Sequence, residues 1–200
     1  MDKFNFNNFL EIFKAFTPYI VALGVYLFWH IQKEKEVIAS EAKNLIMKLN
    51  TFIEETSNLH FELLRIRSDV NKEYPLPDDL YVRRYIEVAA QKGEKLENYY
   101  SKINEVLSPL HFLNDSLEDN NFNNNLGKFS DAVHMLIAEY SKLLVDNFES
   151  YDDLISEIHY RQDTATNALN ELMTQVFNTK KILLRYALYR SRIITSNIKS

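Results

Sequence analysis

Residues 38–70, IASEAKNLIMKLNTFIEETSNLHFELLRIRSDV, place apolar side chains at alternating steps of four and three. Ile38, Ala42, Leu45, Leu49, Phe52, Thr56, Leu59, Leu63, Ile66 and Val70 share that seam, and Thr56 is its one polar member. Steps of four and three return to the same side of an α-helix turn after turn, so the spacing predicts a long helix with a coiled-coil-like packing face. Glu41, Lys43, Lys48, Glu54, Glu55 and Arg67 fall between the seam positions and supply a mixed-charge face for water. A helix built this way needs a partner helix.

The partner is expected immediately downstream. Tyr74-Pro75-Leu76-Pro77-Asp78-Asp79 stops one helix and starts another, because residues preceding proline avoid the α region and Asp78 can cap a new helix. Beyond it Val82, Ile86, Ala89, Gly93, Leu96, Tyr100, Ile103, Leu107 and Leu110 repeat the four-three stepping, which predicts an antiparallel hairpin of two long helices. Gly93 on that seam is expected to permit close backbone approach, and Pro109 to kink or end the helix near Leu107. The Asn-rich segment LEDNNFNNNLG, residues 117–127, reads as a connecting loop, since Asn and Asp side chains compete for backbone hydrogen bonds. Ser130 is then expected to cap a further helix or pair of helices. The breaks within it are expected over residues 146–153 and 163–167. Val133, Ile137, Tyr140, Leu144, Tyr151, Leu154 and Ile158 form its apolar stripe, which Leu169, Leu172, Val176 and Leu183 continue with a shift of phase.

On the N-terminal side of the seam lies an uncharged run, Ala15–Gln32, AFTPYIVALGVYLFWHIQ. As a helix it measures about 27 Å, close to the thickness of a hydrocarbon core, and it is read as a transmembrane helix. The residues assigned to the span are Phe16, Tyr19, Ile20, Val21, Leu23, Gly24, Val25, Tyr26, Leu27, Phe28 and Trp29, with amphipathic rings at both ends where headgroups would lie. Residues 1–14 are read as a short interfacial segment, or as an extension of the span. Lys33, Lys35, Lys43 and Lys48 follow the run and only Lys3 and Lys14 precede it, which places the bulk of the chain on the cytoplasmic side of a cell membrane. A retained signal anchor fits better than a cleaved signal peptide, because Glu11, Lys14 and Pro18 interrupt the apolar region.

Composition bounds the remainder. The chain of 200 residues has three glycines, four prolines and no cysteine, too little punctuation for strands and tight turns and no disulfide framework. With 46% hydrophobic and 13% aromatic residues it can fill a real core. The expected architecture is all-α: one N-terminal transmembrane helix, then residues 33–200 as an antiparallel bundle of three to four helices. Its last part, residues 172–200, is expected to be a basic helix. Lys180, Lys181, Arg185, Arg190, Arg192 and Lys199 occur there with no acid after Glu171, although the whole chain carries a net charge of −5. Interleaved with Phe177, Leu184, Leu188 and Ile193, they make Lys180, Lys181, Arg185, Arg190 and Arg192 candidates for contact with anionic lipid or with a partner.

Catalytic chemistry leaves no trace in the chain. It has no phosphate-cradling glycine loop, no nucleophile elbow, no His-Glu-x-x-His and no thiol, and His30, His60, His111, His134 and His159 are scattered. No enzyme activity, cofactor, metal, nucleic acid or small-molecule substrate is expected. The expected role is that of a single-pass membrane-anchored helical-bundle interaction or assembly protein, with membrane lipids, further copies of itself or a protein partner as its contacts. The alternative is a toxin- or holin-like effector that perturbs membranes by oligomerising through the span.

Overall fold

The computed structural model describes residues 6–70, 77–117, 119–144, 148 and 150–188, excepting the side chains of residues 6–12 and 79. Five helices account for nearly all of it: α1 Phe6–Leu64, α2 Ile66–Val70, α3 Asp78–Leu117, α4 Asn120–Leu143 and α5 Tyr151–Ala187. No strand occurs among the described residues, as the scarcity of glycine and proline implied. α2 is a near-continuation of α1 across Arg65, with Asp69 N–H donating to the Arg65 carbonyl at 2.9 Å.

α1, α3, α4 and α5 form an up-down-up-down four-helix bundle in which each helix runs antiparallel to both neighbours. Side-chain bonds fix the register. Glu62 of α1 binds Lys92 and Lys95 of α3, and Gln162 of α5 donates to the Leu64 carbonyl at 3.1 Å. Thr179 of α5 donates to Asn125 of α4 at 2.7 Å, and Asn114 of α3 donates to Asn123 of α4 at 3.2 Å. The ring closes in the order α1, α3, α4, α5. At its centre Phe52 stacks on Tyr99 with centroids 5.8 Å apart and meets Phe129 edge-on at 6.0 Å, tying three helices together.

The first seam is buried along its whole length: Ala42, Leu45, Leu49, Phe52, Thr56, Leu59, Leu63, Ile66 and Val70 are inside, and Ile38 is half-buried where the bundle begins. Each such leucine contributes roughly 1.5–3 kcal/mol by leaving water. Thr56 belongs on the seam because its hydroxyl bonds the Phe52 carbonyl at 2.6 Å and accepts the Tyr99 hydroxyl.

The second seam needs correcting. Ala89, Leu96, Ile103 and Leu110 are buried as expected, but Val82, Ile86, Gly93 and Leu107 are half-buried and Tyr100 is exposed. The buried row is Tyr81, Tyr85, Val88, Ala89, Leu96, Tyr99, Ile103, Val106, Leu110 and Leu113, rotated by about one position over much of its length. A hairpin seam faces one neighbour, whereas α3 packs on both α1 and α4; Tyr85 and Tyr99 turn inward where their hydroxyls find partners, and Tyr81 packs edge-on against Tyr151 with centroids 5.0 Å apart. Tyr85 donates to the Leu143 carbonyl at 2.8 Å. Gly93 makes no close approach, since a Cβ placed there meets nothing within 4 Å. Pro109 lies inside α3, which continues to Leu117.

The Asn-rich loop is also corrected. Helix α4 starts at Asn120, and Asp119 caps it, its carboxylate accepting from Asn121 N–H at 2.8 Å and Phe122 N–H at 3.3 Å. Gly127 and Ser130 lie within that helix rather than at its start. Of the two expected breaks, the first is real: α4 ends at Leu143 and Ser150 caps α5 by accepting from Asp153 N–H at 3.2 Å. Residues 163–167 are helical, with Ala165 fully buried and Thr164 and Thr166 bonded back to the Arg161 and Gln162 carbonyls. The turn over residues 71–76 lies outside the described residues.

Candidate functional site: the uncovered half of the first helix

α1 is one uninterrupted helix from Phe6, but the chain packs on it only from about Ile38 onward. Every residue from Phe13 to Glu34 is exposed. Phe16, Tyr19, Ile20, Val21, Leu23, Val25, Tyr26, Leu27, Phe28 and Trp29 retain between 51% and 73% of their surface, what a helix shows when nothing covers any face. Nothing lies within 4 Å of a Cβ at Gly24. The large side chains point all round the helix, so no polar face remains with which this segment could lie on the bundle.

Local structure accommodates the one irregularity. Pro18 falls in the interior of α1, not in its first turn, and so deletes the N–H that would serve the Lys14 carbonyl. The Thr17 hydroxyl donates to the neighbouring Phe13 carbonyl at 2.7 Å. At the other end Tyr26 and His30 stack with centroids 6.2 Å apart, and Lys33 pairs with Glu36 at 3.5 Å where the first charges appear.

The expected transmembrane helix is therefore helical and uncovered, but its length and apolarity fall short. Among the described residues no helix is long and apolar enough to cross a membrane. Thr17, Pro18, His30 and Gln32 dilute the run between Lys14 and Lys33.

The basic residues near the C-terminus divide into three groups. Lys180 is half-buried and donates to Asn50 of α1 at 2.5 Å, so it belongs to the bundle. Lys181 and Arg185 are exposed, while Arg190 and Arg192 lie outside the described residues. The helix carrying the first three is packed into the core through Leu172, Val176, Ile182 and Leu183, and it ends at Ala187. Tyr186 donates to Asp119, holding the Asp119 carboxyl below its usual range, while burial and that carboxylate push the phenol up to about 12.

Polar groups within the bundle mostly pair with one another or face water. No group of three metal-ligating side chains occurs among the described residues. Two shallow grooves of about 210 and 270 Å³ run along the α1–α3 boundary, lined by residues such as Glu55, Asn58, Lys95 and Lys102 that pair or face water. His60 is buried against Tyr140 at 5.8 Å, its Nδ1 has no partner, and burial holds its pKa below the ordinary histidine value. His159 bonds Arg67 at 2.9 Å. Sequence reasoning missed the pair Asn125–Thr179, which ties α4 to α5, because Asn125 sits within the misread loop. Its signal was the spacing of Phe122, Asn125, Leu126 and Phe129, which is helical.

Fold and site together define a four-helix bundle whose first helix overhangs it as a bare apolar rod. No family model, curated protein or solved structure matches the chain.

Proposed function

We propose that the chain is a membrane-anchored helical bundle, with the uncovered part of α1 embedded in lipid and the bundle held off the bilayer as an interaction module. The observation that carries this reading is the complete exposure of an uncharged, aromatic-flanked helix on all its faces, an arrangement costly in water and stable among acyl chains. Pro18 supports it too: a proline inside a water-exposed helix costs about 3 kcal/mol, whereas lipid-embedded helices tolerate it. The segment reaches spanning length if it extends past Lys14, whose long stem lets its ammonium snorkel to the headgroups, so that Ile12 and Phe13 bring the stretch bounded by Glu11 and Lys33 to about 31 Å. Lys33 and Lys35 then mark the cytoplasmic side.

The packing seams are satisfied inside one chain, so the bundle does not need a second coiled-coil strand. What it offers a protein partner is its far end, where α1 is about 48 Å beyond Gln32 and where Arg65, Arg83 and Arg84 are exposed. Flotation of the full chain with phosphatidylcholine vesicles tests the anchor. The protein should float and resist both high salt and alkaline carbonate. A protein that stays monomeric in buffer without detergent and does not float would refute the reading.

A further inference from the structure

We infer that two copies of the chain pair side by side in the bilayer, their α1 rods packed through the face that points away from the bundle. This rests on the anchoring of α1 proposed above and names the partner of the embedded helix, a second copy of this chain in the same orientation.

Orientation and sterics pick out the face. Copies anchored through the same rod enter the membrane the same way, so their α1 helices run parallel. The row that is buried in the bundle continues into the rod as Ile31, Phe28, Gly24, Val21 and Thr17, by the same steps of three and four. A second copy cannot use that side. α1 is one helix as far as Leu64, so a parallel α1 laid there would run on into the space filled by α3, α4 and α5. The two flanks are taken as well, since Lys180 of α5 holds Asn50 on one and Lys102 of α3 lies 3.7 Å from Glu55 on the other. Among the described residues, the face opposite the buried row is the one left open along the whole of α1.

That face carries a row of its own. Phe16, Tyr19, Leu23, Tyr26, His30 and Lys33 follow one another by steps of three and four, nearly half a turn from the buried row, and all are exposed. A seven-residue repeat keeps two such rows in contact along their length, and about a two-fold axis each residue meets its own counterpart. The rod favours this occupant on three counts. It is too short and too dilute to span securely alone, and pairing is one way a short apolar segment is stabilised in a bilayer. The row holds the stacked pair Tyr26 and His30, whose polar atoms belong against another helix rather than among acyl chains. The row also passes the boundary charges: Val37 continues it beyond Lys33, is 59% exposed, and lies where a partner helix covers it and lipid does not. Charge does not oppose the contact, because Lys33 is paired with Glu36 of its own helix at 3.5 Å.

The full chain contains no cysteine, so oxidative cross-linking of single-cysteine variants in phosphatidylcholine vesicles maps the face directly. Leu23→Cys, His30→Cys and Val37→Cys should each give a disulfide-linked dimer, whereas Val21→Cys and Phe28→Cys should not. In mild detergent the parent chain should have the mass of a dimer. Leu23→Ala/Tyr26→Ala should weaken that dimer by roughly tenfold or more, while Val21→Ala/Phe28→Ala, which removes apolar surface from the opposite face, should leave it intact. A chain that floats with the vesicles but is monomeric in detergent, or that cross-links equally at all five positions, would overturn the pairing and leave the anchor standing. Cross-linking confined to positions 21 and 28 would overturn the assignment of the face. Failure to float would remove the anchor, and with it the bilayer in which the copies meet.

Discussion

Val25 and Leu49 sit in the same helix, one on the bare rod and one in the bundle, and they should respond oppositely to substitution. Val25 is 63% exposed and Leu49 fully buried. Val25→Arg removes no contact within the chain, so the bundle should lose no more than about 0.5 kcal/mol, the usual scale for surface changes. In a bilayer the same change puts a guanidinium near the middle of the uncharged run. It should cost about 3–4 kcal/mol relative to valine, or roughly a hundredfold or more in partitioning. Leu49→Ala should do the reverse. Deleting a fully buried leucine costs about 3–5 kcal/mol, which lowers a thermal midpoint by roughly 6–20 °C for a bundle of this size.

Vesicle flotation reads the first quantity, and far-UV circular dichroism of detergent-solubilised protein against temperature reads the second. The expected pattern is crossed: V25R folds like the parent but floats poorly, and L49A floats like the parent but melts early. If V25R lowered the melting midpoint as L49A does, residues 13–34 would be packed against protein. If V25R floated unchanged, lipid would not be what covers them.

Gly127→Ala should stabilise by about 1 kcal/mol, because Gly127 is interior to α4 with open space at its Cβ; destabilisation on thermal melting would restore the loop reading. Asp119→Ala should cost about 1 kcal/mol through loss of the α4 cap, and should return the Tyr186 phenol toward its ordinary range in a spectrophotometric titration. Burial lowers the pKa of His60, so the native state binds fewer protons than the unfolded chain. Its contribution is therefore complete above the unfolded value of about 6.5 and is lost as pH falls through the lower folded value. Melting midpoints should fall on acidification through that window, and His60→Phe should flatten the dependence there. Thr179→Val should cost about 1–3 kcal/mol in chemical denaturation by leaving the buried Asn125 carbonyl without its donor.

Periodicity made most of the fold legible. The seam from Ile38 to Val70 is buried almost residue for residue, since a helix at one corner of a bundle turns the same stripe to the core whatever its partners are. The α3 seam was harder because its register depends on which neighbours it has. Alternating Val82 and Ile86 with Tyr81 and Tyr85 gives two stripes one position apart, and the second is selected by tertiary partners: hydroxyl partners for Tyr85 and Tyr99 on α4 and α1, and the Tyr151 ring for Tyr81. The uncovered run over residues 15–32 was visible as a stretch without charge, but that none of the described residues folds back over it is a tertiary fact that no local pattern contains.

The Asn run shows why local chemistry misleads when core positions are sparse. Asn disfavours helix by a few tenths of a kcal/mol relative to Ala, so five of them in residues 120–125 argue for a loop only while nothing opposes them. Phe122, Leu126 and Phe129 do oppose them: each is essentially fully buried and contributes roughly 1.5–3 kcal/mol, so the three together outweigh an accumulated propensity cost of about 2–3 kcal/mol. Asn125 itself is turned from a liability into a tie by Thr179, and Asp119 supplies the bonds that start the turn. Replacing Phe122 and Leu126 with Ala should therefore unwind the start of α4 first, with amide exchange rising over residues 120–127 before it rises elsewhere in the bundle. Uniform loss of protection across all four helices would mean that the asparagines do not set the weak point and that the bundle opens only as one unit.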